Sequence, residues 1–342
     1  MRIFNVIASP GIRMRMIMIL YLFAFIFMLV PGCNMNYKGN KYEVFDNIPG
    51  TYTINQGAND ILIPFELYAG NKPMIQAQIN GKSAKFLIDN GKLFDEVWFY
   101  NGEVDSLQVQ FQSQIADSLI GIGENSATQI FKGNEIDLDF GCIQFLNQPT
   151  LISPSEVGFS GFFPGINGQV SSMLFKHFIV EFNFDDFYLK LTKPDNFIIQ
   201  DNFIPVKMHK RSNGSYCIPF ELVMSSGSTH NVLLDIDIGT VFPLYLISNA
   251  DNNIPISPNA KREFLGFAAS GELYGFRDTL KELHLNDLVL TDYPAIIVQS
   301  DANTDTDIVE SGTFGIQLMK QYNVTFDYFN EVMYFEFDKN NN

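Results

Sequence analysis

Ile88-Asp89-Asn90-Gly91 and Ile236-Asp237-Ile238-Gly239 each close a run of apolar residues. In the first, Ile75, Ala77 and Ile79 alternate, Asn80-Gly81 turns the chain, and Ala84, Phe86 and Ile88 alternate back. Period-two alternation around Asn-Gly predicts a β-hairpin, because that dipeptide accepts the left-handed backbone of a tight hairpin turn. In the second, residues 218–222 lead through a turn at 225–229 into Val232-Leu233-Leu234. The likeness continues downstream. Leu138-Asp139-Phe140, Ile143 and Pro149 recur as Leu283-His284-Leu285, Leu288 and Pro294, 145 residues later. Residues 174–178 recur at 318–322, and 180–184 at 324–328, both 144 later. Ordered repetition at a near-fixed spacing predicts two halves built on one plan. A further Ile-Pro-Phe-Glu-Leu pair, at 63–67 and 218–222, stands at different distances from its Asp, so the two are read as different strands.

The composition agrees. A chain of 342 residues, 46% hydrophobic, is long enough for two packed domains. Its 33 Phe and 14 Tyr, against 4 His, favour strands over helices. The expected fold is mostly all-β, with one short helix per half, at 171–178 and 316–322.

The N-terminus reads as a targeting segment. Arg13 and Arg15 precede the apolar run from Ile17 to Val30, and Pro31-Gly32-Cys33 follows. A basic flank, a short apolar core and a small residue form a secretory signal. The run falls short of the roughly 20 residues of a membrane span. Leu29-Val30-Pro31-Gly32-Cys33 resembles a bacterial lipobox, which makes Cys33 the lipidated first residue of the mature chain. The division expected is a signal at 1–32, a tether at 33–60, one lobe at 61–195, a linker at 196–215 and a second lobe at 216–338. Removing the signal takes three Arg and no acid, leaving 19 basic against 38 acidic side chains, a net charge of −19. That charge repels nucleic acid and anionic headgroups, so neither is an expected partner. The anchor puts the protein in the bacterial envelope, and Asn34, where inner-membrane retention prefers Asp, favours the outer membrane.

On the two Ile-Asp-x-Gly motifs and their repeats, residues 60–338 resemble the pepsin and retropepsin superfamily in its two-lobed bacterial form. The family's motif is an apolar strand ending in Asp-Thr/Ser-Gly. It is followed downstream by a Gly-apolar-Gly strand and a short helix. The later motif reads Gly168-Gln169-Val170-Ser171 in the first half and Gly312-Thr313-Phe314-Gly315 in the second. The resemblance implies two barrel-like lobes with a cleft between them and Asp89 and Asp237 as the catalytic pair. It also implies active-site loops through Asn90, Gly91, Ile238 and Gly239, second-motif positions at Ser171 and Gly315, and a peptide or protein substrate in the cleft. Two carboxylates about 3 Å apart cannot both ionise, so such a pair shares one proton. One activates a water as general base while the protonated partner donates to the scissile carbonyl. That chemistry needs no metal and no cofactor. The sequence departs from the family at its Thr/Ser position, which is Asn90 and Ile238 here, and at Ser171, where the family has Gly. The family's hydroxyls brace the two loops across the interface, so the loops are expected to be less rigid, and double replacement by Thr to speed catalysis. The function implied is an envelope-tethered aspartic endopeptidase. The alternative is a catalytically degenerate lipoprotein that binds a peptide or glycan.

Other features are less telling. Flap-like hairpins are expected within 105–131, tipped by Gly121-Ile122-Gly123, and within 266–275 around Tyr274. Trp98 reads as core packing after the first Asp loop. Cys142 and Cys217 read as two buried free thiols. Asp235, on the same strand face as Asp237, has no assigned role. The acidic run at 301–307 lacks the Gly and Glu of a calcium loop, and the four His show no metal-ligand spacing.

Overall fold

The computed structural model describes residues 42–44, 51–55, 61–91, 93–100, 104–119, 128–153, 163–211, 214–249, 252–268, 271–299 and 311–336. The first half opens with β1 (Tyr42–Val44), β2 (Thr51–Asn55), β3 (Ile61–Tyr68), β4 (Lys72–Ile79) and β5 (Lys82–Ile88). It continues with β6 (Val97–Phe99), β7 (Phe111–Leu119), β8 (Thr128–Gly133), β9 (Ile136–Asp139), β10 (Ile143–Gln148) and β11 (Thr150–Ile152). It ends in β12 (Gly168–Val170), the single-turn α1 (Ser172–Phe175), β13 (Ile179–Asn183) and β14 (Tyr188–Thr192). Next come β15 (Phe203–Lys207), β16 (His209–Lys210), β17 (Tyr216–Val223), β18 (Thr229–Asp237) and β19 (Leu244–Ser248). β20 (Glu263–Ala268), β21 (Gly271–Leu285), β22 (Leu288–Gln299), β23 (Gly312–Gly315), α2 (Ile316–Met319), β24 (Asn323–Asp327) and β25 (Val332–Glu336) follow. The protein is mostly β, as its composition predicts.

The pairings repeat. β4 and β5 form the hairpin around Asn80-Gly81, whose φ angles of 52° and 76° are those Asn and Gly tolerate. β17 and β18 form its counterpart. β9 pairs with β4 as β21 pairs with β17. The segments expected to be equivalent, 138–145 and 283–290, are the hairpins β9–β10 and β21–β22. β12 runs parallel to β5, with Val170 beside Ile88, and β23 runs parallel to β18, with Gly315 beside Asp237. β6 and β19 flank them antiparallel. These crossings explain two glycines. A Cβ on Gly168 would fall 2.1 Å from the Trp98 carbonyl oxygen, and one on Gly312 would fall 2.0 Å from that of Tyr245. β3 and β17, which share Ile-Pro-Phe-Glu-Leu, pair differently and are not counterparts.

A six-strand sheet joins the halves in the order β3-β14-β13-β24-β25-β15. Its seam is β13 against β24, with Val180, Glu181 and Phe182 opposite Phe326, Thr325 and Val324. Phe175, Phe182, Phe326 and Tyr328 pack over it, with ring centroids 5.3–6.4 Å apart. Buried aromatic rings of this size account for much of the core's apolar area.

Four expectations are corrected. The tether at 33–60 contains β1 and β2. β2 lies between β1 and β10 with Thr51, Thr53 and Ile54 buried, as suits its β-branched residues. The linker at 196–215 contains β15, an outer strand of the joining sheet that buries Val206, and β16, which pairs with β17. The helices span four residues each, half or little more than half of the segments expected. Cys217 is a buried free thiol, but Cys142 is disulfide-bonded. The signal segment, Cys33, the tip at 121–123 and the run at 301–307 lie outside the described residues. Among the described residues no helix is long and apolar enough to cross a membrane.

Candidate active site

Asp89 follows the last residue of β5 and Asp237 is the last residue of β18. Each strand delivers its aspartate beside a parallel neighbour. The Asp89 N–H donates to the Val170 carbonyl, 3.1 Å, and Asp237 sits in register with Gly315. The chain then turns so that each glycine faces the opposite aspartate. A Cβ on Gly91 would lie 2.6 Å from Asp237 Cγ. One on Gly239 would lie 2.5 Å from Asp89 Oδ2 and 3.0 Å from Asp237 Oδ1. One point at Gly239 is therefore within 3.0 Å of a carboxylate oxygen from each half. Only a residue without a side chain fits there.

Main-chain donors hold each carboxylate. Gly91 N–H donates to Asp89 Oδ1 at 3.1 Å, and Gly239 and Thr240 N–H donate to Asp237 Oδ1 at 2.7 and 3.1 Å. Burial nevertheless pushes both acids up. Asp237 rises to about 7, through burial and then the neighbouring charge of Asp89, against the opposing pull of Lys72 and its own N–H donors. Asp89 is also raised, by burial, with Lys72 and Gly91 opposing. Two adjoining carboxylates raised in this way titrate as a pair, with a range of pH over which they carry one proton and one negative charge.

The brace expected to be missing is present in another form. Asn90, 2% exposed, accepts the Ile238 N–H on Oδ1 at 2.7 Å and donates from Nδ2 to the Tyr328 hydroxyl at 3.0 Å. One amide thus ties the Asp89 loop to the Asp237 loop and to the joining sheet. Ile238 needs no polar group and is fully buried. Ser171, 1% exposed, flanks α1. Gly315 is needed because a Cβ there would lie 2.4 Å from the Thr240 methyl.

Sequence reasoning missed Tyr328, Lys72 and Arg211. Tyr328 is held by the aromatic stack over the seam, and burial keeps its hydroxyl protonated. Lys72 begins β4 and donates from Nζ to the Gly239 carbonyl. Arg211 Nε lies 2.5 Å from Asp235 Oδ1, with side chains 2% and 13% exposed. Asp235 is therefore the partner of a buried arginine and not a third acid of the dyad. Its place on β5 is taken by Leu87, which packs with Met74, Trp98 and Tyr100. The acid at 235, left without a role by the sequence, was the available signal. Trp98 packs there as expected, donating to Ser153 Oγ at 2.7 Å. The two hairpins expected as flaps are β7–β8 and β20–β21.

A hollow of about 750 Å³ lies elsewhere in the second half, lined by Phe220, Glu221, Leu233 and His284 among others, and shares no residue with the dyad. Among the described residues no group of three or more His, Cys, Asp or Glu converges to hold a metal.

Comparison with protein families finds no match, and neither does comparison with curated proteins. Among solved structures the chain is similar to conglutin gamma, a basic 7S globulin from lupine seeds, at TM-score 0.50 and 11% identity, over 82% of this chain and 95% of that one. Basic 7S globulin from soybean matches at TM-score 0.45 and 10% identity, over 81% and 95%. At 11% identity the likeness to the lupine protein is one of fold alone.

Proposed function

We propose that the protein is an exported aspartic endopeptidase of the two-lobed pepsin type, with Asp89 and Asp237 as its dyad. The observation that carries this reading is the reciprocal approach of each motif glycine to the other half's aspartate. That approach brings two half-buried carboxylates to one point, where desolvation raises both, which is the condition for a shared proton. A water held by the ionised carboxylate attacks the peptide carbonyl. The protonated partner donates to the carbonyl oxygen, and the resulting diol collapses with proton transfer to the leaving amine. The β7–β8 and β20–β21 hairpins would close over a peptide lying between the halves.

The rate should be bell-shaped in pH. It falls as the pair takes its second proton at low pH, and falls again as the shared proton is lost near 7. The test is a peptide-library digest by the mature chain from acid to neutral pH, beside Asp89→Asn and Asp237→Asn. Cleavage by the wild type that both variants lose supports the reading. Cleavage surviving in either variant, or none by the wild type, overturns it, and the second result leaves a peptide- or glycan-binding role.

A further inference from the structure

The turn between β3 and β4 belongs to the first half but makes its contacts in the second. Ala69 and Gly70, at φ 50° and 75°, bend it tightly. Beyond the bend, Asn71 Oδ1 accepts from Gln317 Nε2 of α2 and lies 3.4 Å from Lys320 Nζ, which also reaches the Gly70 carbonyl at 3.5 Å. The next residue, Lys72, turns inward. Its Nζ donates to the carbonyl of Gly239, next to Asp237, and stands 5.4 Å from the centre of the Phe163 ring. The turn is thus a strap between the halves whose innermost group is a cation.

We propose that Lys72 is the charge partner of the Asp89–Asp237 pair, a positioning residue that lets a desolvated dyad carry its single negative charge. A buried carboxylate pair with no counter-charge keeps its protons to a higher pH, and an ammonium group within a few ångströms offsets that cost. Both carboxylates adjoin its contact: the Gly239 whose carbonyl Lys72 reaches donates its own N–H to Asp237 Oδ1 at 2.7 Å and faces Asp89, a Cβ there lying 2.5 Å from Asp89 Oδ2. The other ionisable groups around the dyad do not compete. Tyr100, from the end of β6, faces Asp89, and Tyr328 faces Asp237. Both are raised by burial and stay neutral. Arg211 and Asp235, next along the β18 face, compensate each other. Lys72 is therefore the uncompensated charge among the described groups that face the dyad.

In the proposed reaction this cation sets the pH window of activity and orients the Asp237 loop through Gly239. That part of its role rests on the peptidase reading. The charge pairing does not, and its test needs no turnover. Side-chain ¹³C-labelled Asp would be followed by NMR titration in the mature wild type, Lys72→Met and Lys72→Arg, with Asp89→Asn and Asp237→Asn assigning the signals. Lys72→Met should raise both dyad midpoints by about one unit or more, and Lys72→Arg should leave them near the wild type. A purely structural lysine would change thermal stability without moving the midpoints in this charge-dependent way. If Lys72→Met does not fold, Lys72→Gln tests the same loss of charge. Unmoved midpoints in a folded, uncharged variant overturn the proposal. Moved midpoints with no cleavage in the digest uphold the pairing and remove only the peptidase reading.

Discussion

The two halves bring an aspartate to the same kind of strand end, yet they hold it differently. In the first half the next residue, Asn90, is polar and reaches across to the other loop and to Tyr328. In the second it is Ile238, which is buried and contributes only its main-chain N–H to the brace. Two residues before the aspartates the order reverses. The first half has apolar Leu87 in an apolar cluster, whereas the second has Asp235 in a buried pair with Arg211. A repeated strand plan therefore does not require repeated chemistry. Each polar bond needs to be made once, from whichever side can reach, and the other side can become apolar.

The ion pair offers the largest break in this comparison. Arg211→Met alone strands a buried carboxylate and should cost about 3–5 kcal/mol by urea unfolding. Adding Asp235→Leu, which gives the second half the residue the first half has, should restore most of that stability. If the single variant is as stable as the wild type, the pair is not structural. Next comes the brace. Asn90→Ala leaves the Ile238 N–H and the Tyr328 hydroxyl without their partner. It should cost about 1–3 kcal/mol and most of the activity. Ile238→Val removes one methylene and should cost about 0.5–1.5 kcal/mol with activity kept. Equal effects of the two in melts and peptide digests would erase the asymmetry. Replacing both Asn90 and Ile238 by Thr should now slow catalysis, since it gives up the bond to Tyr328 and puts a hydroxyl in an apolar site.

The last effect is one of pH. Folding raises Asp237 from 3.8 to about 7. An acid raised in the folded state favours folding while it is protonated, and that contribution is lost as pH climbs from the unfolded value to the folded one. Wild-type stability should therefore fall between about pH 4 and pH 7, and Asp237→Asn should lose the share of this fall that Asp237 carries. The variant should melt higher than the wild type at about pH 8, by several degrees, with the gap narrowing toward pH 4. Parallel pH–Tm curves for the two proteins would show that the group is not raised by folding.

The strand plan was legible because its signals are local. Alternation, an Asn-Gly turn and a near-constant repeat spacing each occupy a few residues, and the two aspartates stood out by their matched positions. The residues that complete the site carry no such pattern. Tyr328 reaches Asn90 from 238 positions away, and Lys72 reaches Gly239 from 167. Arg211 lay in the stretch expected to be a linker, and β15 was hidden there because an outer strand need bury only one face. β2 was masked by the Asn and Gly around it. The brace was misjudged for a chemical reason. The sequence showed two lost hydroxyls, while Asn90 makes two hydrogen bonds with one amide.

The seam between β13 and β24 has a mechanical consequence. Backbone hydrogen bonds run through it without a break, so the halves are joined by a continuous sheet and not by a hinge of loose chain. Prising them apart would unzip that sheet and expose the rings of Phe182 and Phe326 packed across it. Any change in the angle between the halves must then come from bending the sheet as a plate. A stiff plate of this kind would hold the two aspartates at a fixed spacing.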